Sequence, residues 1–131
     1  MHEPVWITEE DCLSFHEKLL FRFGGSSGVR DRGLLLSALA RPQHLFSYEQ
    51  PSLFDMAAAY AHGIVKNHPF VDGNKRSGLL AAAVFLEANG VRVSVTEEDA
   101  VMQTLALAAG AISAKDFAMW LEKICGPGAT V

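Results

Sequence analysis

Two cysteines are all the sequence offers, Cys12 and Cys125, and they stand far apart with no CxxC spacing. That scarcity excludes a disulfide-stapled scaffold, and both thiols are expected to be reduced and packed. Long apolar runs are also missing. The longest, Leu79 to Leu86, falls far short of the ~20 residues that span a bilayer. The opening MHEPVWITEEDC has no basic stretch followed by an apolar one, so no signal peptide is legible and the chain reads as cytoplasmic, with no membrane partner. Positive charge is scarce: 11 Lys and Arg face 15 Asp and Glu, a net of -4. A protein that holds nucleic acid by overall attraction carries the opposite balance. Arg22, Arg30 and Arg32 are scattered and form no recognition motif, so no direct nucleic-acid contact is expected. Repeats and low-complexity tracts are absent. With 50% of its 131 residues hydrophobic and 20% charged, the chain reads as a single domain over residues 1–131.

What is there is strongly helical. Thr8, with acidic residues through Asp11, has capping spacing, and apolar positions recur at Cys12, Phe15, Leu19 and Phe23 until Gly24-Gly25. GGSSGVRD reads as a flexible loop, and Asp31 caps RGLLLSALAR, which is expected to stop before Pro42. From Pro42 to Pro51 no helical period is visible, so this segment reads as an extended loop or short hairpin. Ser52 and Asp55 repeat the capping spacing ahead of LFDMAAAYAHGIVKN, and the next helix runs from about Asn74 to Asn89, ending at Gly90. VRVSV alternates too briefly for a sheet and is a short strand or an extended link. Thr96 with Asp99, and Ser113 with Asp116, open two more helices that close at Gly110 and Gly126-Pro127. The fold class is therefore all-α, with about six helices. Leu53 to Val65 and Leu79 to Leu86 are apolar on nearly every face, which marks a central, enclosed pair.

Between that pair stands a dense polar cluster, NHPFVDGNKRSG, Asn67 to Gly78. Pro69 disfavours helical backbone at the residue before it, so His68 is expected just past the helix end. Phe70 is the natural apolar plug that anchors the turn, and Gly73 permits a backbone that a side chain would block. The following helix begins with free N–H groups, which with the macrodipole form an anion site. Lys75 and Arg76 in its first turn are each unfavourable there by roughly 0.3–1 kcal/mol unless an anion offsets them. Phosphate is the leading candidate. Asp72 would repel a bare phosphate, but Mg²⁺ commonly bridges one or two carboxylates to phosphate oxygens. His68 is the side chain in the cluster whose ordinary pKa lies near neutrality, so it can take a proton from an attacking hydroxyl. Singly, each of these residues has an ordinary structural reading as a cap or a solvated helix face; their convergence between two buried helices favours function. The order GNKRSG is not that of a Walker loop, and the spacing of His62 and His68 with no Cys or Glu does not make a zinc set.

HPFVDGNKR resembles the signature of the Fic/Doc superfamily, HPFx[DE]GN[GK]R. GGSSGVRDRGLLLSALARPQ, LFDMAAAYAHGIVKN and LLAAAVFLEANG resemble the flanking blocks of its death-on-curing (Doc) toxin branch, so the likeness covers nearly the whole chain. The resemblance implies a compact Fic/Doc-type bundle and nucleotide-dependent transfer, from ATP with Mg²⁺, to a protein hydroxyl. It makes His68 the general base and Asp72 the Mg²⁺ ligand. Gly73 and Asn74 fall at the anion-cradling positions, Arg76 at the phosphate-binding arginine, and Phe70 at the buried anchor.

Two departures from the adenylylating Fic pattern, HPFxxGNGRxxR, matter. Lys75 replaces the second glycine, and Leu79 stands where a second arginine would bind phosphate. The side chain of Lys75 fills space that the α-phosphate of ATP needs in an adenylylating enzyme. The Doc branch is thought to hold the nucleotide reversed, its γ-phosphoryl facing the acceptor. Lys75 thus joins His68 and Arg76 as a catalytic candidate. The implied activity is that of a protein kinase: the toxin of a type II toxin–antitoxin pair, modifying a Ser/Thr hydroxyl and arresting translation, with elongation factor Tu the branch's known target. Ser94 and Glu98 have the spacing of the inhibitory signature [ST]xxxE[GN], but Asp99 follows where Gly or Asn is expected. Control therefore falls to a separate cognate antitoxin seated in an apolar groove near the turn. By analogy with the family, Pro42 to Pro51 is a flap that aligns the target. Two alternatives stand beside this reading: a Fic-type adenylyltransferase that transfers AMP, and a non-catalytic Doc-like binding or regulatory module. The second has no need of His68, Asp72 and Arg76 together.

Overall fold

Side-chain caps start five of the six helices in the computed structural model, which describes residues 2–125. The elements are α1 (Glu9–Phe23), α2 (Arg32–Tyr48), α3 (Leu53–Asn67), α4 (Asn74–Ala88), α5 (Glu97–Ala109) and α6 (Ala114–Cys125). Thr8 and Asp11 form a reciprocal capping box on α1, with both bonds at 3.0 Å, and Ser52 and Asp55 repeat it on α3. Asp31 caps α2, Thr96 caps α5, and Ser113 exchanges two bonds with Asp116 at the start of α6. Each such cap contributes typically ~1 kcal/mol. Gly24 and Gly110 end α1 and α5 with positive φ. The expected stop of the last helix at Gly126-Pro127 lies outside the described residues. No strand forms among the described residues; residues 91–95 are an extended link, as the alternation allowed.

The fold corrects the expectation at Pro42. α2 does not stop before Pro42 but runs through it to Tyr48, so the segment up to Pro51 is neither a hairpin nor an extended loop for most of its length. The reason is the apolar stripe. Leu35, Ala38, Leu39 and Pro42 are buried at helical spacing, and Leu45 and Phe46 continue the same face against the core. Burial of that stripe outweighs the backbone hydrogen bond that the proline ring removes.

α3 is the central rod, buried at ten of its 15 positions and packed by α2, α4, α5 and α6. Small residues let its neighbours come close. A Cβ on Gly63 would lie 3.1 Å from Ala38 Cα on α2, and one on Gly78 of α4 would lie 2.8 Å from Val65 Cγ2 and 3.1 Å from the Ala61 carbonyl oxygen. Glycine inside a helix costs roughly 1 kcal/mol against alanine; here the close approach of helix backbones offsets it. The N-terminal segment is fastened twice. The Ile7 amide donates to the buried Tyr60 hydroxyl at 2.9 Å, and Asn89 both accepts from the Val5 amide and donates to the Val5 carbonyl. Cys12 is fully buried, and burial, aided by the nearby Asp11 and Glu9 carboxylates, pushes its thiol up to about 12. It is an inert packed thiol.

α4 differs from α3. Its Ala81, Ala82, Phe85 and Leu86 face is buried, but Leu79, Leu80 and Ala83 line an open groove of ≈ 580 Å³ shared with Leu19, Val93 and Trp120. The predicted central pair is thus one enclosed helix and one half-covered helix. No helix of the described residues is long and apolar enough to cross a membrane.

Candidate active site

The turn that joins α3 to α4 begins with His68. It is the only non-glycine residue among those described with positive φ, at φ 53 and ψ 53. Pro69 disfavours right-handed helical backbone at this position as expected, and the chain takes the left-handed region, not an extended one. There the His68 amide still reaches the Ile64 carbonyl, at 3.0 Å, closing the last turn of α3. A residue with a Cβ pays about 1–2 kcal/mol for this backbone. Its imidazole is exposed.

Phe70 is completely buried and acts as the plug. Its ring stacks on His16 with centroids 3.7 Å apart and planes 10° apart. The side chain of Asn74 clamps the same residue: Oδ1 accepts from the Phe70 amide and Nδ2 donates to the Phe70 carbonyl, both at 2.9 Å. That side chain is therefore committed to holding the turn, and at the helix start Asn74 presents its backbone N–H.

Asp72 follows. His16 Nε2 donates to its carbonyl oxygen at 2.8 Å, which fixes the proton of the ring on Nε2. The carboxylate accepts from the Gly73 amide at 3.0 Å and from the Ser26 amide at 3.3 Å. Gly25 makes room for it, since a Cβ there would lie 2.9 Å from Asp72 Oδ2. Each carboxylate oxygen has a second lone pair free. This suits Mg²⁺ arriving with a nucleotide, because that ion takes one or two carboxylates and completes its shell with phosphate oxygens and water.

α4 then starts without any side-chain cap, at Gly73 with φ 78. Ser77 N–H already reaches the Gly73 carbonyl at 2.9 Å, which leaves the amides of Asn74, Lys75 and Arg76 without intrahelical partners. His68, Asp72, Gly73, Asn74, Lys75 and Arg76 line one pocket of ≈ 180 Å³. Every polar residue singled out from the sequence as chemical thus meets at one place, while Phe70 lies beneath. Lys75 and Arg76 also line a neighbouring pocket of ≈ 210 Å³ walled by Leu79, Val101, Thr104 and Leu105. The Arg76 guanidinium sits 4.4 Å from the centroid of the Phe23 ring, and Arg22 stacks on that ring at 5.4 Å.

Three contributors escaped the sequence. His16 sits in an unremarkable amphipathic helix, with no local signal that its ring would meet the turn. Arg30 reads as one scattered cation, yet its guanidinium donates to the carbonyls of His68, at 2.7 Å, and Asn67, at 3.0 Å. The glycine-rich stretch before it is not a free loop. Val29 forms an isolated antiparallel bridge with Phe70, and the Val71 amide donates to the Gly28 carbonyl at 3.0 Å.

An uncapped helix start, two cations, one carboxylate and an exposed imidazole share one pocket, an arrangement suited to an anion, and the sequence relations point the same way. A Fic/DOC family profile matches residues 6–86, and the chain belongs to that family. It is 34% identical over 121 residues to Protein kinase doc of Escherichia phage P1, covering 92% of this chain and 95% of that protein. It is 47% identical over 91 residues to Toxin Doc of Mycolicibacterium smegmatis, covering 68% of each.

Proposed function

We propose that the chain is a Doc-type toxin that transfers the γ-phosphoryl group of ATP to a serine or threonine hydroxyl of a protein. The observation that carries this reading is the open N-terminus of α4, with Lys75 and Arg76 beside it and His68 across the same pocket. The β- and γ-phosphates would rest on the free amides, with Arg76 held ready by its contact with Phe23. His68 would take the proton of the acceptor hydroxyl as its oxygen bonds to the γ-phosphorus. The bond from that phosphorus to the β–γ bridging oxygen breaks, and ADP leaves. Asp72 would hold Mg²⁺, whose charge offsets that of the phosphates. Elongation factor Tu is the acceptor that the family likeness suggests, with translation arrest the result.

Mass spectrometry of elongation factor Tu after incubation with this chain, ATP and Mg²⁺ tests the reading. A phosphate adduct on Ser or Thr is expected; an AMP adduct would replace kinase chemistry with adenylylation. Lys75→Gly probes the same choice. Removing the side chain clears the space beside α4, so nucleotide orientation loosens and some AMP product accompanies phosphate. The same product and the same nucleotide affinity in the variant would remove Lys75 from the mechanism.

A cognate antitoxin is the partner that Doc-type toxins imply. The apolar groove along Leu79, Leu80 and Ala83 supports this as its seat, since Arg22 and Arg76 lie at one end and an inserted segment there would adjoin the catalytic pocket.

A further inference from the structure

We propose that Arg30 is a positioning residue for the reaction, locking the His68 peptide so that the imidazole faces the phosphate pocket; this rests on the transferase reading above. His68 holds left-handed backbone at φ 53 although it is not glycine. Such a residue relaxes unless its surroundings over-determine it. Arg30 supplies that constraint. Its Nε donates to the His68 carbonyl at 2.7 Å, one Nη donates to the Asn67 carbonyl at 3.0 Å, and its own amide donates to the Pro69 carbonyl at 2.6 Å. One residue therefore grips three consecutive carbonyls where α3 ends.

The two side-chain bonds fix the planes of the peptides that precede and follow His68, and with them the direction of its Cα–Cβ bond. A guanidinium does this as a rigid fork; an ammonium cannot span both carbonyls at fixed angles. The cation also lies at the negative end of α3, where it is electrostatically favoured. The neighbouring backbone contacts do not need the guanidinium. Val71 N–H to Gly28, Asp31 N–H to Pro69 and the Arg30 amide itself survive its removal. Arg30 is exposed, so water can replace it at the freed carbonyls. Its loss releases the His68 peptide without dismantling the turn.

The test compares wild type, Arg30→Ala and Arg30→Lys in initial-rate transfer from radiolabelled ATP to elongation factor Tu, alongside thermal midpoints. In Arg30→Ala, kcat falls roughly 10- to 100-fold while KM for ATP moves less than about twofold. The midpoint changes little, and Arg30→Lys recovers part of kcat. A kcat equal to that of wild type overturns the inference. So does a fall in kcat matched by a higher KM and a lower midpoint, which marks a merely structural role. If the wild type transfers nothing, the transferase reading fails instead. Arg30 is then judged by NMR of histidine-labelled protein. The His68 ring resonance shifts in Arg30→Ala while that of His16 stays in place; an unmoved His68 resonance overturns the positioning role.

Discussion

His68→Ala lowers phosphoryl transfer by about 10²–10⁴-fold, the usual worth of a positioned general base. On the kinase reading, the residual rate would come from the α4 amides, the cations and Mg²⁺, which would still hold the phosphates. Folding is not at stake, because the imidazole is exposed. Backbone conformation needs a control, since alanine at φ 53 carries the same strain as histidine. His68→Gly removes the imidazole and the strain together, and it should lose as much activity as His68→Ala. Initial rates under saturating ATP and Mg²⁺ measure both. Transfer by either variant at the wild-type rate would take the proton-accepting role away from His68.

Phe70→Ala has the largest effect on stability, a loss of about 3–5 kcal/mol read from the urea midpoint. Total stability of a domain is only about 5–15 kcal/mol, so much of it is lost. The side chain is entirely buried, stacked on His16 and gripped through its backbone by Asn74. Alanine leaves a cavity under the turn and deprives the His16 ring of its partner. Phe70→Leu, which keeps most of the volume, should lose less. A midpoint unchanged in Phe70→Ala would mean that the turn is held from elsewhere. The prediction ties fold and site together: the residue that supports the chemistry from below is also a core residue.

The sequence was most legible where causes are local. The capping pairs at Thr8, Asp31, Ser52, Thr96 and Ser113 stand three residues from the amides they serve, so their spacing alone places five of the helix starts. The polar residues of the turn were legible for the same reason, being packed into one short stretch. Pro42 misled because the proline signal is local while the stripe that overrides it, from Leu35 to Phe46, is satisfied only against the core. His16 and Arg30 were illegible for a different reason. Their partners, Asp72 and His68, are 56 and 38 residues away in sequence, and nothing in either residue's own surroundings points to them. Asn74 lies between these cases: its place in the turn was evident, but not that its side chain would be spent on Phe70.

The same turn has a consequence for how an acceptor can approach. Its main-chain groups are already occupied: the amides of His68, Phe70 and Val71, and the carbonyls of His68, Pro69, Phe70 and Asp72, all have intramolecular partners. An incoming polypeptide therefore finds little here to zip against edge to edge. On the transferase reading, substrate choice would be written in side chains, through shape and charge around the mouth of the pocket, and tolerance for different acceptor sequences would follow from that.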